Sequence, residues 1–113
     1  MARTDLTVYE ISLAGVTPSF VAAEADGNMW LGRGNEFIVV KNGSGGAINV
    51  TVQAPNYWKG VALEDQVVSV GAGSEEWIGP FPQGAFAQGA DGKVYVDYAT
   101  VTSVTVAVVR LPI

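Results

Sequence analysis

The chain has no cysteine and no histidine among its 113 residues. Without cysteine no disulfide framework forms, and the redox compartment cannot be inferred. Without histidine the commonest general base and the commonest zinc ligand are both missing. The serines therefore have no imidazole to activate them, no G-x-S-x-G elbow is present, and only a Ser-Lys pair stays open as a nucleophile. We expect a protein that is not an enzyme, with no catalytic residue and no cofactor.

Positive charge is scarce, since six Lys and Arg residues stand against eleven Asp and Glu, for a net charge of −5. The basic residues are scattered, whereas nucleic-acid binding depends on clustered Lys and Arg that neutralise phosphates. Long apolar runs are missing too, because no window approaches the roughly 18 apolar residues of a membrane span. The N-terminus MARTDLTVYEI lacks the apolar core of a signal peptide. We expect no nucleic-acid partner, no membrane partner, and synthesis in a cytoplasm without a cleaved leader.

The acidic residues do not form a recognisable metal motif. The neighbours Glu64 and Asp65, like Glu75 and Glu76, point to opposite faces of an extended chain. No D-x-D-x-D-G calcium loop is present, and the Asp-Gly pairs elsewhere in the chain are typical of turns. The sequence predicts no metal ligand.

Glycine and apolar residues are abundant, with 14 glycines and 49% apolar residues. This composition is typical of a compact sheet protein with many turns. Turn signals separate short apolar runs roughly every 8 to 12 residues, which predicts about eight short strands and little or no helix. The expected fold class is all-β, an antiparallel β-sandwich or a jelly-roll-like small barrel, in a single domain over residues 1–113.

The strongest local pattern lies at residues 36–54, EFIVVKNGSGGAINVTVQA. Residues 48–54 alternate between apolar and polar side chains, the period of a half-buried strand. Residues 37–40 are apolar on both faces, so this strand needs cover from another layer or another subunit. Between the two strands, the glycine-rich residues 43–46 suit a turn with positive φ values. The pattern predicts a β-hairpin at the centre of the domain.

Aromatic side chains are the candidates for a contact surface. Trp30 and Trp77 lie in apolar runs and are predicted to be core residues. Tyr57 and Trp58 lie in a Pro/Gly loop, where large aromatics serve as interface anchors or stack on sugar rings. A carbohydrate-binding module that uses Tyr57 and Trp58, with Trp30 as a further stacking residue, is therefore an alternative.

A succession of short motifs runs through the chain, in the order D-G-N-M-W, K-N-G-S-G-G, A-I-N-V-T-V-Q-A-P, V-V-S-V-G-A-G, I-G-P-F-P and D-G-K-V-Y-V-D-Y. This succession resembles small structural proteins from the head modules of tailed bacteriophages, of the capsid decoration or head-stabilising kind. The resemblance implies a virion protein that binds the outer capsid surface and bridges capsomers. Its implied partner is the major capsid protein, and its implied state is a homo-oligomer, most often a trimer. A head–tail connector or a tail component is an alternative structural role within the same kind of virion.

Interface candidates for such a role come from three places in the chain. They are Tyr57 and Trp58 in the aromatic loop, Phe37 and Val39 on the two-faced strand, and Leu6 and Tyr9 near the N-terminus. Residues 1–6 and 111–113 are expected to be terminal arms that lie on a neighbouring subunit.

Overall fold

A computed structural model describes residues 3–89 and 91–111, apart from the side chains of Tyr57 and Trp58. The chain is nearly all β, with 45% strand and 4% helix. Two mixed five-stranded sheets pack together, and two further short strands form a separate hairpin. The predicted all-β sandwich is confirmed, with more and shorter strands than the eight expected. In the described residues no helix is long and apolar enough to cross a membrane.

The elements follow one another along the chain as short strands with a single helical turn. They are β1 (Thr4–Asp5), β2 (Val8–Glu10), β3 (Val21–Ala22), β4 (Asn28–Leu31), β5 (Glu36–Asn42), β6 (Ile48–Val52), β7 (Tyr57–Trp58), β8 (Val61–Ala62), β9 (Gln66–Val70), β10 (Glu75–Ile78), α1 (Gln83–Phe86), β11 (Lys93–Tyr98) and β12 (Val104–Arg110). Sheet A has the order β1-β4-β11-β6-β9. Sheet B has the order β10-β5-β12-β2, with β3 also paired to β12.

The core lies between the sheets and is built mainly from valine and isoleucine. Alternate residues of the long strands point into it, among them Ile38 and Val40 of β5 and Val50 of β6, all with no exposed surface. Burial of one such side chain stabilises the fold by roughly 1.5–3 kcal/mol. Trp30 is 1% exposed and packs with its ring centroid 5.8 Å from that of Phe81. The prediction that Trp30 is a core residue is confirmed.

The two strands of the predicted central hairpin do not pair with each other, so that prediction is wrong. Strand β5 pairs with β10 and β12 in sheet B, whereas β6 pairs with β11 and β9 in sheet A. The loop between them carries the chain from one sheet to the other, and none of its three glycines has a positive φ. The buried Asn42 side chain organises this loop: its amide donates to the carbonyl oxygens of Gly46 and Val70, and its Oδ1 accepts from the Ser44 N–H.

The two long sides of the sandwich differ in whether a shared segment joins the edges of the two sheets. On one side the N-terminal segment belongs to both sheets, because β1 pairs with β4 in sheet A and β2 pairs with β12 in sheet B. Leu6, between these two strands, packs in the core at 8% exposure and donates its N–H to the Met29 carbonyl at 2.8 Å. On the other side β9 is the last strand of sheet A and β10 the last strand of sheet B. The first side is closed by a shared segment, and the second side is open.

The predicted terminal arms fall partly outside the described residues, since residues 1–2 and 112–113 are not described. Thr4 and Asp5 pair with β4 of their own chain, and Leu6 fills the core. Leu111 donates its N–H to the Asn35 carbonyl at 3.0 Å. These residues have contacts within the single chain, and an arm on a neighbouring subunit stays a prediction.

Gly79 joins β10 to the proline-rich segment that follows, and it has a φ of 134°. A Cβ at this position would lie 2.7 Å from the Cβ of Phe37 and 3.1 Å from the carbonyl oxygen of Glu36. We expect Gly79→Ala to lower the free energy of unfolding by about 2 kcal/mol or more, because L-residues disfavour this φ and the neighbouring backbone cannot yield. Urea unfolding followed by tryptophan fluorescence measures the change.

Gly45→Ala is the matched control, because Gly45 has open space around it and no positive φ. Its free energy of unfolding should change by less than about 0.5 kcal/mol. Equal losses in the two variants would contradict the steric account of Gly79.

Candidate functional site

The outer face of sheet A is a polar network of ion pairs and hydrogen bonds. The Lys93 ammonium lies 2.7 Å from the Asp5 carboxylate, and the Arg3 guanidinium lies 2.6 Å from that of Asp97. The Tyr95 hydroxyl donates to Asp91 at 2.8 Å. These side chains are partnered within the face, so the network stabilises the sheet surface.

Hydrogen bonds in this network shift the pKa values of the exposed Asp91 and the half-buried Lys93 and Tyr95. The Lys93 N–H and the Tyr95 hydroxyl both donate to Asp91 and lower the pKa of its carboxyl, and the second of these bonds raises the pKa of Tyr95. The hydrogen bond to Asp5 raises the pKa of Lys93. Each shift strengthens the charge state that the group already has near neutral pH, so these three groups are not poised to exchange a proton there.

The outer face of sheet B is apolar and aromatic. Tyr9 of β2, Phe37 of β5 and Trp77 of β10 project from it, and we call these three residues the aromatic patch. The rings of Phe37 and Trp77 stack with centroids 5.3 Å apart and an angle of 24° between their planes. The strand register places Tyr9 and Phe37 on either side of Val109. The patch therefore spans four strands of one sheet face.

Small buried side chains form the floor of the aromatic patch. Val39, Ala107 and Val109 point away from the core, yet Val39 is only 1% exposed and the other two are also buried. Val39 lies in register between Trp77 and Ala107 on this face. Because Val39 is buried in the single chain, the cover that the two-faced strand requires is supplied at this position by the chain itself.

Trp77 is 61% exposed, so the prediction that it is a core residue is wrong. The reason is the two-residue period of β10: Ile78 points into the core, which turns Trp77 to the opposite face. The indole N–H donates to the Glu75 carboxylate at 2.6 Å, and the Lys41 ammonium lies 4.0 Å from that same carboxylate. These contacts, with the Phe37 stack, hold the exposed ring in one orientation.

The predicted interface residues separate into three groups. Tyr9, Phe37 and Val39 come together on the outer face of sheet B. Leu6 lies in the core and not on this face. Tyr57 and Trp58 form β7, which pairs with β8, and their side chains lie outside the described residues. Trp77 belongs with the first group. Because neighbouring residues of a strand point to opposite faces, placing Ile78 in the core would have predicted that Trp77 points outward.

An open groove of about 390 Å³ adjoins the aromatic patch and lies between the edge strands β9 and β10. Its apolar lining residues include Val68, Ile78, Phe81 and Phe86, and the rings of Phe81 and Phe86 meet edge to face at 5.1 Å. Its polar lining comes from Gln66 and Glu76, and Trp77 is shared with the patch. The patch and the groove form one continuous surface around β10.

Glu36 is the buried carboxylate of the chain's described part, and its partners explain it as a structural group. It is 1% exposed and accepts hydrogen bonds from the N–H groups of Arg33 and Gly34. Arg110 donates to it through Nε at 3.1 Å. A buried carboxylate with these partners fixes the loop before β5 to the end of β12. In the described residues no group of three or more acidic side chains is placed to hold a metal ion.

Comparison of the chain with protein-family models, with curated proteins and with solved structures gave no match.

The exposure of Trp77 and the burial of Trp30 predict opposite effects on fluorescence quenching. Trp77→Phe should lower the fraction of tryptophan emission that acrylamide quenches, because it removes an exposed indole. Trp30→Phe should raise that fraction, because it removes a buried one. Stern–Volmer titrations of the two folded variants measure the difference, and indistinguishable quenching curves would contradict the placement of the two rings.

Proposed function

We propose that this protein is a non-enzymatic structural protein of a tailed-phage virion that binds the outer capsid surface and bridges capsomers. The observation that carries the proposal is the aromatic patch, three rings on one sheet face of an acidic chain. The resemblance of the motif succession supports a role in a phage virion. The aromatic patch supports binding to a protein partner. The partner is the major capsid protein, and the location is the virion surface.

The construction of the aromatic patch supports binding to a protein surface. Trp and Tyr side chains bury much apolar area and dominate the energetics of many interfaces. The Phe37–Trp77 stack and the hydrogen bond from Trp77 to Glu75 hold the indole before any partner arrives. A ring that is already ordered loses less side-chain entropy on binding. The charged Glu75 and Lys41 beside it form the polar rim that such contacts commonly have.

A homo-oligomer, with the trimer that the resemblance implies, fits the same proposal. One patch on a chain of 113 residues is a small contact surface. Several linked copies engage a repetitive capsid lattice together, and linked weak contacts hold far more tightly than each contact alone. This arrangement gives a bridging protein stable attachment without a large interface per subunit.

A carbohydrate-binding module is the second candidate, and the exposed Trp77 ring beside Glu75 favours it. Exposed aromatic rings stack on sugars, and carboxylates accept hydrogen bonds from sugar hydroxyls. Trp30 does not contribute to this function, because it is in the core. The stack of Phe37 on Trp77 also occupies one face of the indole. A protein partner explains the remaining members of the patch better than a sugar does.

Co-sedimentation with empty capsids, assembled from the major capsid protein of the same genome, tests the proposal. Trp77→Ala and Phe37→Ala should each weaken binding at least tenfold, a loss of about 1.4 kcal/mol or more, because each removes an anchor of the patch. Leu31→Ala is the matched control, since Leu31 is an apolar side chain 48% exposed on the outer face of sheet A.

Wild-type affinity in Leu31→Ala together with loss in the two patch variants supports the proposal. Wild-type chain that stays in the supernatant with capsids, or patch variants that bind as well as wild type, would overturn it. Binding to tails and not to capsids would instead favour the connector or tail variant, and a positive glycan array with silent capsids would favour the carbohydrate-binding module.

A further inference from the structure

The outer edge of β10 carries backbone groups that point away from sheet B. The Asn42 N–H donates to the Ser74 carbonyl at 2.9 Å, so this pair is a hydrogen-bonded pair of the β5–β10 ladder. Hydrogen-bonded and non-hydrogen-bonded pairs alternate along an antiparallel ladder. Glu75 and Trp77, which face Lys41 and Val39, therefore direct their N–H and C=O groups to the open edge. A strand laid along this edge would find two donors and two acceptors.

The groove runs along the same edge. Consecutive residues 76–81 form one wall, and Gln66 and Val68 of β9 stand on the other side, with Phe86 completing the lining. Ile78 and Phe81 are almost fully buried, so the deepest part of the groove is apolar. Side chains alternate between the faces of a strand. An extended segment paired with β10 would therefore place every second side chain in the groove and the others beside the aromatic patch.

The charge of the groove selects its occupant. All nine lining residues come from residues 66–86, a stretch with two acidic residues, Glu75 and Glu76, and no Lys or Arg. Glu76, whose strand position turns it to the inner face of sheet B, lines the groove itself. A segment that brings a positive charge opposite Glu76 satisfies this carboxylate, while an acidic segment is repelled.

We propose that the β10 edge binds an extended segment of a partner protein, which adds to sheet B as an antiparallel strand. The segment places an apolar side chain opposite Ile78 and a Lys or Arg side chain opposite Glu76. Main-chain hydrogen bonds with Glu75 and Trp77 provide affinity. Contacts between alternate side chains of the segment and the groove provide specificity. The occupant is an extended segment of a second protein with this alternation of apolar and basic side chains, so the site goes beyond the capsid contact proposed for the aromatic patch.

The chain of 113 residues, labelled with ¹⁵N, is titrated with the peptide acetyl-Thr-Lys-Thr-Leu-Thr-Lys-Thr-amide. Its lysines and its leucine share one face, as the groove requires. We expect shifts in the amide resonances of β9, β10 and residues 79–86, with a dissociation constant on the order of 1 mM or tighter. No shifts at millimolar peptide, or shifts confined to the β1–β2 side of the sandwich, would overturn the proposal.

Two methylated peptides separate strand addition from simple apolar or ionic contact. In the antiparallel register with the leucine opposite Ile78, the residues opposite Trp77 and Glu75 are the fifth and seventh, both threonines, so N-methylation of the fifth and seventh residues removes amide donors that face β10. N-methylation of the leucine removes a donor that faces solvent. We expect at least a fivefold loss of affinity for the first peptide and little change for the second. Equal affinities would overturn strand addition.

A charge exchange tests the role of Glu76. Glu76→Lys should weaken binding of the lysine peptide and strengthen binding of the same peptide with glutamates in place of its lysines. Glu10→Lys is the matched control, because Glu10 lies on β2 at the opposite edge of sheet B. Unchanged affinities in Glu76→Lys would overturn the charge selection. The outcome is separate from capsid binding, because Trp77→Ala and Phe37→Ala test the patch on capsids without any peptide.

Discussion

Strand β5 is buried on both faces, and the rest of the sandwich is arranged to cover it. Ile38 and Val40 face sheet A and fill the core. Val39 faces outward but is as well buried as they are, so the chain itself covers it. The Phe20 ring, from the segment before β3, lies over Lys41 of the same face, with 3.9 Å between the ammonium and the ring centroid, so that segment also lies against this face. Aromatic rings stay at the surface of this face, among them the exposed Trp77, and they form the proposed contact surface.

One long side of the sandwich is closed and the other is open, and the proposed contact surface extends to the open side. A segment shared by both sheets closes the β1–β2 side, with Leu6 inserted between them. The β9–β10 side ends in two edge strands with a groove between them. Open edges are a risk for unwanted pairing, and proteins commonly protect them with charge. The carboxylates of Glu75 and Glu76 give this edge such a charge, and they also limit which partner can add to it.

Composition and alternation were enough to predict the all-β class, the sandwich and the inward residues of β6. They did not predict which sheet each strand joins, because that depends on contacts between distant residues. The loop after β5 shows this: glycines 43, 45 and 46 suggested a hairpin, but Asn42 reaches the Val70 carbonyl, 28 positions away, and the chain crosses between sheets. Trp77 was misplaced for a related reason, since an apolar run does not tell which of its members faces the core. Phe37 and Val39 nevertheless lie together on the outer face, as expected for a strand that carries apolar residues on both faces.

We propose that the outer face of sheet B is the contact surface. Hydroxyl-radical footprinting of the free chain and of the capsid-bound chain, analysed by mass spectrometry, tests it at single side chains. We expect Tyr9, Phe37 and Trp77 to lose reactivity on binding, while Leu31 and Tyr95 on the outer face of sheet A keep it. Protection of Leu31 and Tyr95 with unchanged reactivity at Trp77 would contradict it.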